Sequence, residues 1–171
     1  MRIASALAVL ACSLLAQSRP ADLLGWTKAK WGMTDSEILK VFQGQAVLLD
    51  APVQRRQYVD GRANVGIEKI TIETVECSVQ FVVNPQDGRL FRVMIKPVQA
   101  NPTAVYFQQL EKALVTRYGA PDYTSSKEPM TSSRWVFPTT VIELHYSNLA
   151  AIDMRLLSLT YEVNKSKQNP L

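Results

Sequence analysis

The stretch Glu76–Lys96 reads ECSVQFVVNPQDGRLFRVMIK, and it decides the predicted fold class. Apolar residues alternate with polar ones from Cys77 to Val83, and the alternation resumes after the turn-forming segment Asn84–Gly88. Such a period of two is typical of antiparallel strands with one packed face and one solvated face. The stretch therefore predicts a hairpin within an antiparallel meander over residues 47–97, with another turn at Asp60-Gly61.

Two helices are predicted on either side of this meander. The first begins with a capping box, in which Thr34 is the N-cap and Glu37 reaches back to its amide, and it runs to Phe42. The second is predicted from Asn101, as its N-cap, to Tyr118. The apolar side of the second helix comprises four residues: Phe107, Leu110, Leu114 and Tyr118. We expect this side to pack on the apolar face of the sheet.

Three further strands are predicted after a polar loop over residues 124–132. Their ranges are Arg134–Phe137, Val141–Tyr146 and Met154–Val163. The sequence therefore predicts an α+β fold, an antiparallel sheet with two helices packed on one face, and its element order suggests two helix-plus-meander halves. Residues 19–163 are expected to form a single α+β domain, followed by a polar tail, 164–171.

Residues 1–18 have the features of a signal peptide. Arg2 supplies a positive charge, Ile3–Leu15 is apolar, and Ala16-Gln17-Ser18 places small residues at the positions that signal peptidase reads. A membrane-spanning helix needs roughly 20 apolar residues, so this segment is too short to serve as one. We expect cleavage after Ser18, no transmembrane helix in the mature chain, and a periplasmic or secreted protein.

An alternative interpretation of the same segment is a lipoprotein signal. Val9-Leu10-Ala11-Cys12 is similar to a lipobox, in which the cysteine is lipidated and becomes the first mature residue. The apolar run continues beyond Cys12 through Ser13-Leu14-Leu15, which favours cleavage after Ser18 over a lipid anchor.

Composition excludes several classes of protein. Removal of Arg2 with the signal leaves 18 basic residues against 15 acidic ones, and this small, dispersed excess does not fit a dedicated nucleic-acid binder. Cys77 is the one cysteine left in the mature chain, so we expect no intramolecular disulfide and a small buried hydrophobe at this position.

The residues that carry chemistry are sparse. The single histidine, His145, alternates with Leu144 and Tyr146 and is predicted to lie on the solvated face of its strand. One histidine and one cysteine give no metal-ligand spacing, and no phosphate-binding glycine motif occurs. The sequence therefore predicts no catalytic residue, no metal ligand and no cofactor.

Four residues are candidates for binding a partner. Trp26 and Trp31 lie in the segment that leads into the first helix, where an aromatic ring can remain available to an interface. Arg55 and Arg56 form, with Arg62, the densest basic patch of the chain. Charges around a hairpin usually protect a solvated edge, and the alternative is that they bind an acidic partner surface or an anionic lipid.

Several short elements together resemble those of small exported bacterial proteins of unknown function. The elements are Trp31-Gly32-Met33-Thr34 with Glu37-Ile38, Tyr118-Gly119-Ala120-Pro121, Trp135, Ile142-Glu143-Leu144 and Leu159-Thr160-Tyr161. The first of them also resembles the helix starts of the β-lactamase-inhibitor-protein fold and of the small lipoprotein of the outer-membrane β-barrel assembly machine. The resemblance implies a role in binding another protein and brings no enzymatic residues. The chain differs from the inhibitor in lacking disulfides, and from the lipoprotein in lacking a lipidated cysteine at its expected mature start.

These observations lead to a functional hypothesis with two alternatives. The chain is predicted to be an exported, non-catalytic domain that binds another protein in the bacterial cell envelope. One alternative is a binder of a small apolar or lipid ligand between helix and sheet, with Phe107, Tyr118 and Trp135 around the ligand. The other is an enzyme with a carboxylate-based site.

Mass spectrometry of the protein extracted from its native envelope tests the predicted export signal. We expect a mature chain that begins at Arg19, because signal peptidase cleaves after Ser18. A chain that begins at a diacylglyceryl-modified Cys12 would contradict this expectation and identify a lipoprotein.

Overall fold

The computed structural model describes residues 19–49 and 56–167. The predicted export signal, Cys12, Arg55 and the last four residues of the predicted polar tail lie outside the described residues. Within the described part, antiparallel β-structure dominates, and almost every strand joins a single sheet.

The described strands of the main sheet fall into two series, and each series follows one helix. An N-terminal hairpin is formed by β1 (Gly25–Trp26) and β2 (Ala29–Lys30), and helix α1 (Asp35–Val41) follows it. The first series of strands comprises β3 (Val47–Leu48), β4 (Arg56–Tyr58), β5 (Gly61–Ile72), β6 (Val75–Val83) and β7 (Leu90–Pro97). Helix α2 (Ala104–Tyr118) precedes the second series, which comprises β8 (Tyr123–Lys127), β9 (Met130–Val136), β10 (Thr140–Leu149) and β11 (Met154–Val163).

Both series of strands belong to one sheet. Its strand order is β3-β5-β6-β7-β11-β10-β9-β8, and β4 pairs with the beginning of β5. Every ladder in it is antiparallel. The two meanders meet where β7 pairs with β11, through Ile95 opposite Leu159 and Val93 opposite Tyr161.

The predicted α+β class, with an antiparallel sheet carrying two helices on one face, is wrong. The chain is mainly β, because the described part holds nine strands in one sheet and helices of only seven and 15 residues. Strands spaced about 4.8 Å apart make the eight-strand path roughly 34 Å wide, whereas each helix is about 10 Å across. Two such helices cannot cover this sheet, and hairpin β1–β2 adds Trp26 and Ala29 to the same core.

Three local predictions also need correction. The segment predicted as a polar loop, residues 124–132, instead forms most of the β8–β9 hairpin. Helix α2 has Thr103 as its N-cap rather than Asn101, which adopts a positive φ of 53°. Asn164, placed in the polar tail, is buried, and its Nδ2 donates to the carbonyl oxygen of Phe137 at 2.8 Å.

A β-bulge takes Phe91 out of the alternation that Val93 and Ile95 follow in β7. The ladder between β6 and β7 shifts register between Val82, which faces Arg92, and Val83, which faces Leu90. The shift leaves Phe91 as the extra residue. Its side chain is half-buried against a small cluster on the solvated side of the sheet, made of Leu49, Ala63 and Val82.

Other local predictions are confirmed. The capping box of α1 forms, with Glu37 N donating to Thr34 Oγ1 at 3.4 Å and Thr34 N donating to Glu37 Oε2 at 2.8 Å. Cys77 is fully buried. The main core lies between the sheet and the two helices, and its largest fully buried side chains include Trp135, Phe81, Ile38, Leu110 and Leu144.

A pair of leucine variants tests the two faces of the sheet. Leu144→Ala is expected to lower the free energy of unfolding by about 2–5 kcal/mol, because it leaves a cavity in the core, where Leu144 is 0% exposed. Leu156→Ala, on the solvated face at 51% exposure, is expected to change it by less than about 0.5 kcal/mol. Urea denaturation measures both, and equal losses would contradict the assignment of the two faces.

Candidate functional site

The solvated side of the second meander carries an exposed apolar surface, which we call the outer patch, made of Met130, Leu149, Met154 and Leu156. Met130 and Leu156 flank Ser147 on adjacent strands, and Met154 pairs with Leu149 one step further along the ladder. The exposed fractions of Met130, Met154 and Leu156 are 51%, 41% and 51%. Leu149 and Met154 are direct cross-strand neighbours, about 5 Å apart, and Met130 and Leu156 lie on either side of Ser147, so all four side chains lie on the same end of one face.

A polar row of side chains borders the outer patch. His145 lies on the solvated face as predicted, opposite Ser132 on β9 and Ser158 on β11. Its Nε2 is 2.8 Å from Ser147 Oγ, and Ser147 is only 6% exposed. The outer patch therefore encloses the buried Ser147 and has polar side chains along this side, as the rims of protein interfaces commonly do.

Strand β8 forms one edge of the sheet beside the outer patch. It pairs with β9 on one side, and among the described residues no strand pairs with its other side. All five of its residues are exposed, and Tyr123 is 65% exposed. Residues Tyr123 and Lys127 pair with Arg134 and Met130, which places them on the same face as the outer patch. The open edge and the outer patch are thus contiguous.

The solvated face of the first meander is closed by charge pairs instead. Arg92 donates to both carboxylate oxygens of Asp60 at 3.0 and 2.7 Å, and to Glu162 at 3.0 and 3.2 Å. Hydrogen bonding from Arg92 lowers the pKa of Asp60 below its usual value. The charges of Arg92, Asp60 and Glu162 thus neutralise one another on the surface of β7 and β11. Because an apolar partner would have to remove water from these ionised groups, this region is less suited to such a partner than the outer patch.

The structure separates the four predicted partner-binding residues. Trp26 is buried, and its ring stacks on Phe42 with centroids 5.9 Å apart. Trp31 is half-buried and lines a cleft at the opposite end of β10 from the outer patch. Arg55 lies outside the described residues, and the backbone of Arg56 pairs with Ala63 in β4. The predicted residues therefore do not form one site.

The three residues predicted to surround an apolar ligand are packed against the protein itself. Phe107, Tyr118 and Trp135 are 6%, 3% and 0% exposed. The Trp135 indole nitrogen donates to the Gly119 carbonyl oxygen at 2.8 Å, and the ring of Tyr118 meets that of Phe137 edge-on at 5.8 Å. Side chains thus fill the space around these three residues.

Sequence patterns missed the outer patch because its residues are separated in the sequence and come together only through strand register. One signal was present in the sequence: Met154 and Leu156 are apolar, yet their positions in β11 alternate with those of the core residues Leu157, Leu159 and Tyr161. This spacing places them on the solvated face. Met130 was assigned to a loop, so its position on the same face could not be deduced.

In residues 19–49 and 56–167, no three His, Cys, Asp or Glu side chains are grouped so that they could hold a metal ion. Neither helix in these ranges is long and apolar enough to cross a bilayer.

Comparison with known proteins gives no match. No protein-family model, no curated protein and no solved structure matches the chain. The resemblance to the exported bacterial proteins, the inhibitor fold and the assembly lipoprotein therefore stays a prediction.

Chemical labelling of Cys77 tests the packing behind these surfaces. Burial raises the pKa of the Cys77 thiol to about 11, so the reactive thiolate is scarce at neutral pH and the sulfur is inaccessible. We expect no labelling by iodoacetamide in the native protein and complete labelling after unfolding in urea. Mass spectrometry counts the labels, and rapid labelling under native conditions would show that β6 opens.

Proposed function

We propose that the protein is an exported, non-catalytic domain that binds another protein of the bacterial cell envelope. The observation that carries the proposal is the outer patch, an exposed apolar surface spread over β9, β10 and β11. Exposed apolar side chains gathered on one face commonly mark an interaction site.

The mode of binding that fits the surface is strand addition. The unpaired side of β8 presents backbone donors and acceptors to an extended segment of the partner. Side chains at alternate positions would select the partner, with Tyr123, Ser125 and Lys127 on the face shared with the outer patch.

The charge of this region indicates the chemistry of the partner. Lys127 lies at the end of β8, whereas Arg134 on β9 faces Glu143 on β10 as well as Tyr123, so Lys127 is the cation that the edge offers to a partner. A matching partner segment would carry apolar residues at alternate positions and an acidic residue near Lys127. The apolar side chains would supply most of the affinity, and Lys127 would speed association and set the register.

Site-specific photo-crosslinking in the native envelope tests the proposal. A benzophenone amino acid at position 130 or 156 is expected to form an adduct with one discrete partner, because both positions lie in the outer patch. The matched control is position 105 on α2, where Val105 is 54% exposed on another surface of the protein. Mass spectrometry identifies the adduct.

Charge substitution in the same positions gives a second readout. Leu156→Lys is expected to weaken the captured complex more than about tenfold, since it places a charge within an apolar interface, whereas Val105→Lys should leave it unchanged. Equal crosslinking from positions 105 and 156, or a complex insensitive to Leu156→Lys, would contradict the proposed surface.

A further inference from the structure

A separate cleft lies at the other end of the sheet, between hairpin β1–β2, the beginning of β7, the β9–β10 turn and the end of β11. We call it the Trp31 cleft, and its volume is about 740 Å³. Its walls are formed by Leu24, Lys30, Trp31, Gly32, Leu90, Pro138, Thr139, Val163 and Asn164. It borders the first residue of β10, whereas the outer patch lies at the last, about 30 Å away along a strand of ten residues.

Three polar atoms in the walls of this cleft are already hydrogen-bonded. The Trp31 indole nitrogen donates to Thr140 Oγ1 at 2.8 Å, and Asn164 Nδ2 donates to the Phe137 carbonyl oxygen at 2.8 Å. The Gly32 carbonyl oxygen accepts from Arg89 Nη1 at 3.0 Å. What remains for a ligand is mainly the apolar surface of side chains such as Trp31 and Val163. A hydrocarbon chain would bind there without displacing a hydrogen bond.

The walls are also held in place before any ligand binds. Asp22 Oδ1 accepts from the Thr139 amide at 2.9 Å, and the Leu23 carbonyl oxygen accepts from the hydroxyls of Thr139 and Thr140. These bonds tie the N-terminal segment to the β9–β10 turn, with Trp31 between them. A cleft with fixed walls orders few groups on binding, which favours affinity.

One charged side chain, the exposed Lys30, belongs to the wall of the cleft, and no acidic residue belongs to the lining set. Just outside the lining, Arg89 is bound to the Gly32 carbonyl oxygen and acts on Glu37, and the Asp22 carboxylate is bonded to Thr139, so these outer charges offset one another. An apolar cleft with one lysine in its wall is complementary to a molecule with one hydrocarbon chain and one anionic end.

We propose that the Trp31 cleft binds a free long-chain carboxylate. The hydrocarbon chain lies along Leu24, Trp31 and Val163, and the carboxylate is placed at Lys30. The volume falls within the roughly 300–1,000 Å³ of clefts that take small organic ligands. This site shares no residue with the outer patch, so it stands or falls independently of the proposed partner binding.

Fluorescence titration of the full protein with a dansyl-labelled undecanoic acid tests the proposal. We expect saturable binding, with energy transfer from tryptophan to the dansyl group, and displacement of the probe by palmitate. Val163→Glu is expected to weaken probe binding more than about tenfold, because it places an unpaired charge in the apolar wall. Urea denaturation of this variant checks that it remains folded.

Two further variants isolate the head-group contact. Lys30→Glu is expected to weaken palmitate about fivefold, the scale of an exposed ion pair, while displacement by uncharged hexadecanol stays unchanged. Lys40→Glu makes the same change of charge on α1, away from the cleft, and should leave both ligands unaffected. Equal losses from the two lysine variants would overturn the head-group assignment.

Three other outcomes would overturn the cleft as the site. Undiminished probe binding by folded Val163→Glu would place the chain elsewhere. Binding seen only above the critical micelle concentration of the probe would show that the protein associates with micelles, as it would with a detergent, and has no specific site. A probe signal that falls as protein concentration rises, together with self-association in ultracentrifugation, would assign the cleft to a second copy of the chain.

Discussion

The pairing of β7 with β11 is the contact on which the rest of the structure depends. Four residue pairs, from Ile95–Leu159 to Arg92–Glu162, join two meanders that are otherwise local hairpin structures. Their side chains alternate between the two faces, so the same ladder supplies Val93 and Tyr161 to the core and carries the Arg92–Glu162 ion pair on the other side. An antiparallel ladder permits this division because its side-chain period is two. A slip of one residue would place apolar side chains in water and ionised ones in the core.

This single sheet also determines where binding can occur. Its inner face is partly covered by two helices and a hairpin, and aromatic contacts such as Trp26–Phe42 and Phe42–Phe81 fill space beneath them. Beside α2 this face keeps a cleft of about 420 Å³, bordered by Leu114 and Tyr161 among others. Other accessible surfaces are the solvated face, the free edge at β8 and the rim where the strands end. The outer patch and the Trp31 cleft occupy opposite ends of β10, so one rigid element separates the two proposed sites.

Local features of this fold follow from the sequence, whereas long-range ones do not. The capping box of α1 involves residues three apart, and the alternation from Cys77 to Val83 lies within one strand, so both were predicted correctly. The β8–β9 hairpin was missed because its Ser- and Thr-rich residues show no apolar alternation, since β8 is exposed on both faces. The fold class was wrong because the number of strands that share one sheet depends on pairings such as β7–β11, between segments more than 60 residues apart. Similarly, the burial of Trp26 depends on Phe81, which a local pattern cannot reveal.

The first described residue connects the fold to the predicted fate of the export signal. The Arg19 guanidinium donates to both oxygens of Asp122 at 3.0 and 2.7 Å and to the Val136 carbonyl oxygen at 3.0 Å, and it lies 4.4 Å from the centre of the Phe137 ring. Hydrogen bonding from Arg19 lowers the pKa of Asp122, so this anchor persists at neutral pH and is lost only as strong acid protonates the carboxylate.

If cleavage follows Ser18, this bidentate pair fixes the new N-terminal residue against β9. If Cys12 is lipidated instead, six residues separate it from Arg19, a distance of at most about 25 Å when fully extended. The anchored domain would then stay close to the membrane surface.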